Sequence, residues 1–379
     1  MSSQADNLRT LGGLKWTFYD EEVLPAWVAE MDYGLAPSIV AALHDAVDRG
    51  LTGYPFPDAE AAVATAATDY WADMFDWKVD PSWIFAAPDV IEGIRRCIVH
   101  LTKPDSPVVL HTPVYFPFFS MVERAGREIF EVPSPRDPDG RYSLDLVGIE
   151  EGFKAGAGSV VVCNPWNPTG RVFTRPVLEE VVDLAARYDA RVIADEIHAP
   201  IIYDGEHHVP IATIDSERTM SVNAASKAWN LPGLKCAQVV LTNEDDRAIW
   251  ESYFTMDLVG VGSFGLIAGE AAYSGGREWF EDVLARLHTN RDLLIDLAAT
   301  HLPEARIHPP EGTYLAWMDL SAYGLDDPAE FILHEGRVAL TAGKVFRGNS
   351  SQFARVNFAT EPEVLIEMME RIGTALRSR

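Results

Sequence analysis

From residue 159 to residue 224 the chain alternates short apolar runs with one longer stretch whose apolar positions recur at helical spacing. Ser159 to Cys163 is β-branched and apolar and stops at an Asn/Pro/Gly cluster, the pattern of a buried strand running into a loop. Thr174 then takes an N-cap position, Pro176 falls in the first helical turn, and Val177, Leu178, Val181, Val182, Leu184 and Ala185 make one apolar face. Residues 191–194 are the next predicted strand, with Asp195 at its carboxyl end, and 220–224 a third, with Ser226 and Lys227 just beyond. Outward from this centre, 83–86 predicts a strand leading to an apolar helix around 94–101, and 107–110 another strand. Gly275-Gly276 marks a break, after which 277–302 predicts a long amphipathic helix and the segments around 313–318 and 354–358 predict strands. The order is that of an α/β protein without internal repeats. A large αβα domain with a mostly parallel sheet is expected over 38–274, a smaller α+β domain over 275–379, and an N-terminal segment, 1–37, packed on the small domain.

Strands joined through helices cross over right-handed, so the three central segments emerge on one edge of the sheet, where open α/β sheets bind ligands. The residues delivered there are Asn164-Pro165-Trp166-Asn167-Pro168-Thr169-Gly170, Ala194-Asp195-Glu196-Ile197-His198 and Ser226-Lys227. A carboxylate and a lysine meeting at that edge admit two readings. One is an ordinary ion pair at the rim of a sheet. The other is the site of an aldehyde cofactor, pyridoxal phosphate, in which Lys227 forms the imine and Asp195 keeps the pyridine nitrogen protonated. Lysine suits the first role because its pKa falls readily on burial and beside other cations. The aspartate suits the second because a protonated ring is the stronger sink for a carbanion at Cα.

At these residues the chain resembles the fold type I family of pyridoxal phosphate enzymes, over nearly its whole length from about Trp27 onward. Three stretches look most like the cystathionine β-lyase-like branch, the MalY/PatB type of C–S β-lyases within the class I/II aminotransferase group. They are Trp27-Val28-Ala29-Glu30-Met31-Asp32-Tyr33, Ala194-Asp195-Glu196-Ile197-His198 and Ala225-Ser226-Lys227-Ala228-Trp229-Asn230-Leu231-Pro232-Gly233-Leu234-Lys235. The resemblance implies pyridoxal 5'-phosphate as cofactor, Lys227 as the Schiff-base lysine, Asp195 as partner of the ring nitrogen, and Asn167 and His198 on the phenolic oxygen. Aminotransferases usually have tyrosine three residues after that aspartate, and His198 there matches the lyase branch. Tyr115, in Thr112-Pro113-Val114-Tyr115-Phe116-Pro117, resembles the ring-stacking aromatic. Val90 and Ile91 open the helix that follows Ala87-Pro88-Asp89, and their amides suit a phosphate, since aligned N–H groups favour an anion at a helix start. Ser226 and Lys235 resemble side-chain phosphate ligands. Tyr54, in Gly53-Tyr54-Pro55, resembles the tyrosine that reaches the phosphate from the neighbouring subunit, which implies a homodimer with shared active sites. Arg355, in Ala354-Arg355-Val356-Asn357-Phe358-Ala359, matches the family's arginine strand. Its guanidinium fits an amino acid's α-carboxylate in two-point fashion, with Asn167 and Tyr33 as further substrate-binding residues.

The small-molecule substrate implied is an amino acid, and the reaction a β-elimination from cystathionine or another S-substituted L-cysteine to thiol, pyruvate and ammonia. Transamination shares the first half of that route, so these motifs leave it open, as they leave open a regulatory protein that keeps the cofactor and docks another protein. Trp16, Trp27, Tyr33, Tyr54 and Phe56 form a candidate aromatic pocket for a thioether side chain. No second arginine motif for a dicarboxylate is evident.

Composition narrows the partners. A net charge of -26 in 379 residues disfavours nucleic acid and anionic membrane surfaces, because phosphate binding needs clustered Lys and Arg. Cys97, Cys163 and Cys236 are widely spaced in apolar contexts and read as buried thiols in a reducing compartment, without a disulfide framework. The longest apolar run, 258–269, is too short and glycine-rich to span a bilayer, and the first residues resemble no signal peptide, so a cytoplasmic protein is expected. Asp204-Gly205-Glu206-His207-His208 reads as a polar turn, since adjacent residues cannot readily wrap one ion, and no metal is expected.

Overall fold

A computed structural model gives the fold and describes residues 3–56, 58–254 and 260–378, so that residues 258 and 259 of the apolar run lie outside it. Along the chain the strands are β1 (Leu24–Pro25), β2 (Ile84–Ala87), β3 (Val108–Thr112), β4 (Ile129–Pro133), β5 (Ser159–Cys163), β6 (Arg191–Asp195), β7 (Thr219–Asn223), β8 (Ala237–Leu241), β9 (Arg306–Ile307), β10 (Leu315–Asp319), β11 (Val338–Ala339), β12 (Thr341–Ala342) and β13 (Phe353–Asn357). The main sheet has the order β2-β8-β7-β6-β5-β3-β4. Its pairs from β4 through β3, β5 and β6 to β7 are parallel, and β8 runs against both β7 and β2. The link from β7 to β8 holds no crossover helix, only the single turn Pro232–Leu234, and β8 accordingly returns antiparallel. The strands β3, β5, β7 and β8 are buried along their whole length, as expected where both faces of a sheet are covered.

Helix Pro117–Arg124 carries the chain outward from β3 to β4, and helices Leu146–Lys154 and Arg175–Arg187 carry it back to β5 and β6. Right-handed crossovers in opposite directions place those helices on opposite faces of the sheet. Because β3 and β5 are neighbours from which the chain departs in opposite senses, a crevice opens beyond their carboxyl ends. The expected elements shift by a residue or two: the strand at 191–194 includes Asp195, the strand at 220–224 is Thr219–Asn223, and the long helix is Arg277–His301. Thr174 takes the N-cap position but its side chain makes no capping hydrogen bond.

A second sheet, β12-β13-β10-β9, is antiparallel throughout. The N-terminal segment joins this part of the molecule through β1, which pairs in parallel with β11, Leu24 opposite Val338. Helix Arg277–His301 packs on the C-terminal helix Pro362–Arg377. Gly276 lets the preceding helix pass close to Trp229: a Cβ there would stand 2.5 Å from the indole Nε1, which donates to the Gly276 carbonyl at 2.9 Å. Trp229 is fully buried, with the rings of Tyr70, Tyr273 and Phe280 at 5.2 to 5.3 Å, so the segment carrying Lys227 is anchored in the core two residues from the lysine. Among the described residues no helix is long and apolar enough to cross a membrane.

Candidate active site

The carboxyl ends of β3, β5, β6 and β7 surround a cleft with about 830 Å³ of empty space. Asp195 closes β6 with its carboxylate buried, Oδ1 accepting from the Ile197 amide at 3.1 Å. Among the described residues no lysine or arginine stands at ion-pair distance from it. Burial, only partly offset by that amide, pushes its pKa up to about 7. Three residues on, His198 is buried with Nδ1 lacking a hydrogen-bond partner among the described residues, and burial, reinforced by the Lys227 and Arg355 charges, holds the ring neutral.

Lys227 follows β7 and projects into the same cleft, where Nζ donates to the Ala29 carbonyl at 2.8 Å. Burial and then the Arg355 cation lower its pKa to about 8. Asn167, from the loop after β5, also lines the cleft. That loop is tied down by the Asn164 amide on the Asp195 carbonyl (2.9 Å) and the Trp166 indole on the Pro113 carbonyl (2.8 Å). Tyr115 enters from the loop after β3, steadied edge-on by Phe118 at 5.8 Å.

At the other end of the cleft, helix Val90–Leu101 begins. Asp89 caps it, accepting from the Glu92 amide at 2.8 Å, so Val90 and Ile91 are the amides ahead of the capped position, and both residues line the cleft. Ser226 and Lys235 line it too, with Lys235 paired to Asp89 at 2.9 Å and half exposed. The Asp89 side chain is thus occupied with a cap and an ion pair.

Arg355 stands on β13 behind Asn167. Its Nη1 donates to Asn167 Oδ1 at 2.9 Å, its Nη2 to the Trp27 carbonyl at 2.9 Å and to Thr341 Oγ1 at 3.1 Å, and its Nε has no partner among the described residues. The guanidinium is 3% exposed and no carboxylate pairs with it among the described residues, so burial lowers its pKa to about 10. A buried cation held only by neutral groups is poised for an anion.

Two sequence candidates lie elsewhere in this chain. Tyr54 is wholly exposed and does not line the cleft. Tyr33 is buried away from it, its hydroxyl donating to the Thr360 carbonyl at 3.0 Å. The aromatic pocket is not assembled within one chain either: Trp16 is buried on Asp32 (2.7 Å), beside the buried Lys15–Asp32 ion pair, while Phe56 is exposed. His208, expected in a polar turn, is buried 3.5 Å from Glu196, and no metal-binding cluster occurs among the described residues. Cys163 and Cys236 both line the cleft, and Cys236 is only partly buried.

Sequence reasoning missed Ala29, Tyr314 and Glu311. Ala29 contributes a carbonyl, which no residue type advertises. Glu311 precedes β10 and is nearly buried. Its carboxylate takes hydrogen bonds from Arg171, from Arg141 Nε at 3.0 Å and from the Val172 amide at 2.9 Å. The amides of Glu311 and Gly312 donate to the Gly170 carbonyl at 2.8 and 3.0 Å, fastening the Asn167 loop to the second sheet. Burial would raise the Glu311 pKa, yet His308, the Val172 amide and Arg171 together draw it down to about 2. Gly170 has φ +73°, and a Cβ there would stand 2.8 Å from Pro310, so glycine alone fits this junction.

The donor set matches pyridoxal phosphate group by group. A buried carboxylate lacking a cation suits a protonated ring nitrogen, the unpartnered His198 Nδ1 and the Asn167 amide suit a ring oxygen, and helix-start amides suit a phosphate. A lysine amine lines the same cleft.

The comparisons agree with this geometry. Residues 27–372 match the family model described as aminotransferase class I and II. The chain is 38% identical to the cystathionine beta-lyase of Corynebacterium glutamicum, over 98% of this chain and 99% of that one. It is 32% identical to the cystathionine beta-lyase PatB of Bacillus subtilis, over 94% and 93%. Its backbone is similar to that of a candidate PLP-dependent β-cystathionase of Corynebacterium diphtheriae, with TM-score 0.91 and 38% identity over 98% and 97% of the two chains. With its cleft at the switch point of a mostly parallel sheet and its match running almost from end to end, the chain belongs to the class I and II aminotransferase family of fold type I pyridoxal phosphate proteins.

Proposed function

We propose that this chain is a pyridoxal 5'-phosphate-dependent C–S β-lyase acting on cystathionine or a related S-substituted L-cysteine. One observation carries the reading: a buried carboxylate without a cation, a lysine amine and a neutral histidine share one cleft beside a buried arginine without an anion. It occurs in a chain 38% identical to a cystathionine beta-lyase. When bound, pyridoxal phosphate supplies an electron sink for negative charge at the substrate's Cα. In this reading Lys227 would hold its aldehyde, Asp195 its ring nitrogen, Tyr115 a ring face, and Asn167 and His198 its phenolic oxygen. The Val90 and Ile91 amides, with Ser226 and Lys235, hold its phosphate.

Arg355 receives the substrate's α-carboxylate, with Asn167 between it and the cleft. The Lys227 amine would take up the Cα proton as general base at Nζ. An amine with a pKa of about 8 is part neutral at physiological pH and, once protonated, acid enough to give the proton up, which suits general acid–base work. The thiolate then leaves Cβ as a stable anion, and the released aminoacrylate hydrolyses to pyruvate and ammonia. His198 stays neutral throughout, so it places a hydrogen bond without adding a third cation beside Lys227 and Arg355.

The exposure of Tyr54 supports a homodimer in which this residue completes the partner's site. A division into the N-terminal segment 1–37, the large cofactor-binding domain 38–274 and the small domain 275–379 belongs to the same reading, supported by the β1–β11 pairing and the two separate sheets. Free cysteines favour a reducing, cytoplasmic setting. The test is to incubate the loaded protein with cystathionine and with a simple S-alkyl cysteine. Equal amounts of thiol, pyruvate and ammonia are expected from each. An amino group retained on the protein, with no thiol, would make it an aminotransferase.

A further inference from the structure

The backbone from Trp27 to Met31 is gripped on successive carbonyls by residues from distant segments. Arg355 Nη2 holds Trp27 O at 2.9 Å, Asn357 Nδ2 bridges Val28 O and Glu30 O at 2.7 Å each, and Asn230 Nδ2 holds Met31 O at 2.9 Å. Ala29 O, on the cleft wall, accepts from two donors at once: Lys227 Nζ and the Tyr314 hydroxyl, each at 2.8 Å. Tyr314 is fully buried, with its ring edge-on to His198 at 6.1 Å.

We infer that the Ala29 carbonyl is the resting acceptor for the Lys227 amine once substrate has displaced it, and that Tyr314, by sharing that oxygen, is a positioning residue that tunes the lysine as proton carrier. Its place in the reaction rests on the lyase reading, but its geometry does not. A neutral amine that donates one N–H to Ala29 keeps its lone pair free for the Cα proton. The ammonium that results makes a charge-assisted, stronger bond to the same oxygen. The carbonyl therefore favours the protonated amine, and a hydroxyl already bound to it draws off part of that acceptor strength. Tyr314 thus fixes the carbonyl's direction and restrains the pKa of Lys227. Burial weighs most on this pKa, followed by Arg355 on β13, Glu30 beside Ala29, Asp195 at the end of β6 and Lys235 before β8; His198, Asp89, Tyr115, Cys163 and Cys236 also face the cleft. Removing one hydroxyl leaves all of them in place.

The variant is Tyr314→Phe, with Tyr203→Phe as control, because Tyr203 buries an equivalent hydroxyl on the Thr313 carbonyl at 2.7 Å, away from Lys227. In the full chain stripped of cofactor, acetylation of Lys227 by dilute acetic anhydride is followed against pH by mass spectrometry of its peptide. Tyr314→Phe should raise the midpoint by roughly 0.5 to 1 pH unit, the size of one hydrogen bond's effect. In the loaded enzyme the acid limb of kcat for cystathionine should move the same way, with KM little changed, and Tyr203→Phe should move neither. An unmoved labelling midpoint in Tyr314→Phe, or an equal shift in Tyr203→Phe, would overturn the inference. A shifted midpoint in a protein that yields no pyruvate would instead overturn the lyase reading and leave the positioning role standing.

Discussion

Replacing Asp195 by asparagine should stabilise the cofactor-free protein at alkaline pH and disable the loaded one. The Asp195 carboxyl titrates at about 7 in the fold and at 3.8 ordinarily, so between these values the folded chain holds a proton that the unfolded chain has released. The folded state then binds more protons, and the free energy of unfolding falls as pH rises through that window, levelling off above pH 7. At about 1.4 kcal/mol per pH unit the full penalty is about 4 kcal/mol, absent near pH 4 and complete above neutrality. Asparagine keeps the oxygen that accepts from the Ile197 amide and has no charge to desolvate. Urea unfolding of the stripped proteins should therefore show an advantage for Asp195→Asn that grows by about 2 kcal/mol between about pH 5.5 and pH 8. Adding pyridoxal phosphate reverses the order, because the ring nitrogen is the cation this carboxylate lacks, and elimination should slow on the order of 10²-fold. A variant less stable than wild type at pH 8 without cofactor, or a stability difference flat across that range, would refute the reasoning.

Lys227→Ala should lose the borohydride-reducible bond to the cofactor and reduce turnover by roughly 10²- to 10⁴-fold, measured by peptide mass mapping and pyruvate release. Arg355→Lys keeps the charge but not the two-point fork, so KM for cystathionine should rise about 10- to 100-fold with a smaller change in kcat, read from initial rates. Glu311 has its folded pKa depressed from 4.5 to about 2, so its contribution is present above pH 4.5 and lost as pH falls toward 2. Glu311→Gln should accordingly cost about 3 kcal/mol at neutral pH by urea unfolding, a gap that closes as the solution is acidified below pH 4.5.

The parts of the site that lie at strand ends were legible in the residues themselves. Asp195 and Asn167 each follow a β-branched apolar run and Lys227 follows the mixed strand Thr219–Asn223, and the crossover rule brings them to one edge; Tyr115, Val90 and Ile91 follow strands in the same way. The long helix Arg277–His301 was legible because its apolar stripe, interrupted only at Asn290, runs between a glycine pair and a proline. What stayed hidden acts through the main chain or through pairing across long separations. The Ala29 carbonyl has no side-chain signal, and Glu311 reads as one more acidic residue in an acidic chain until Arg171, 140 residues earlier, is found against it. Tyr33 shows the opposite failure: its neighbours carried the resemblance, yet its hydroxyl serves the packing of Thr360 and Asn290. Tyr54 is wholly exposed in this chain, so no pattern of buried apolar positions could place it.

The central claim is that the cleft eliminates and does not merely transfer an amino group. Its most direct test is the number of pyruvate molecules released per Lys227 site from cystathionine before the bound aldehyde is consumed. Many turnovers are expected, with the cofactor's absorbance intact and one thiol per pyruvate. At most one turnover, ending with the amino group on the cofactor and no thiol in solution, would contradict it.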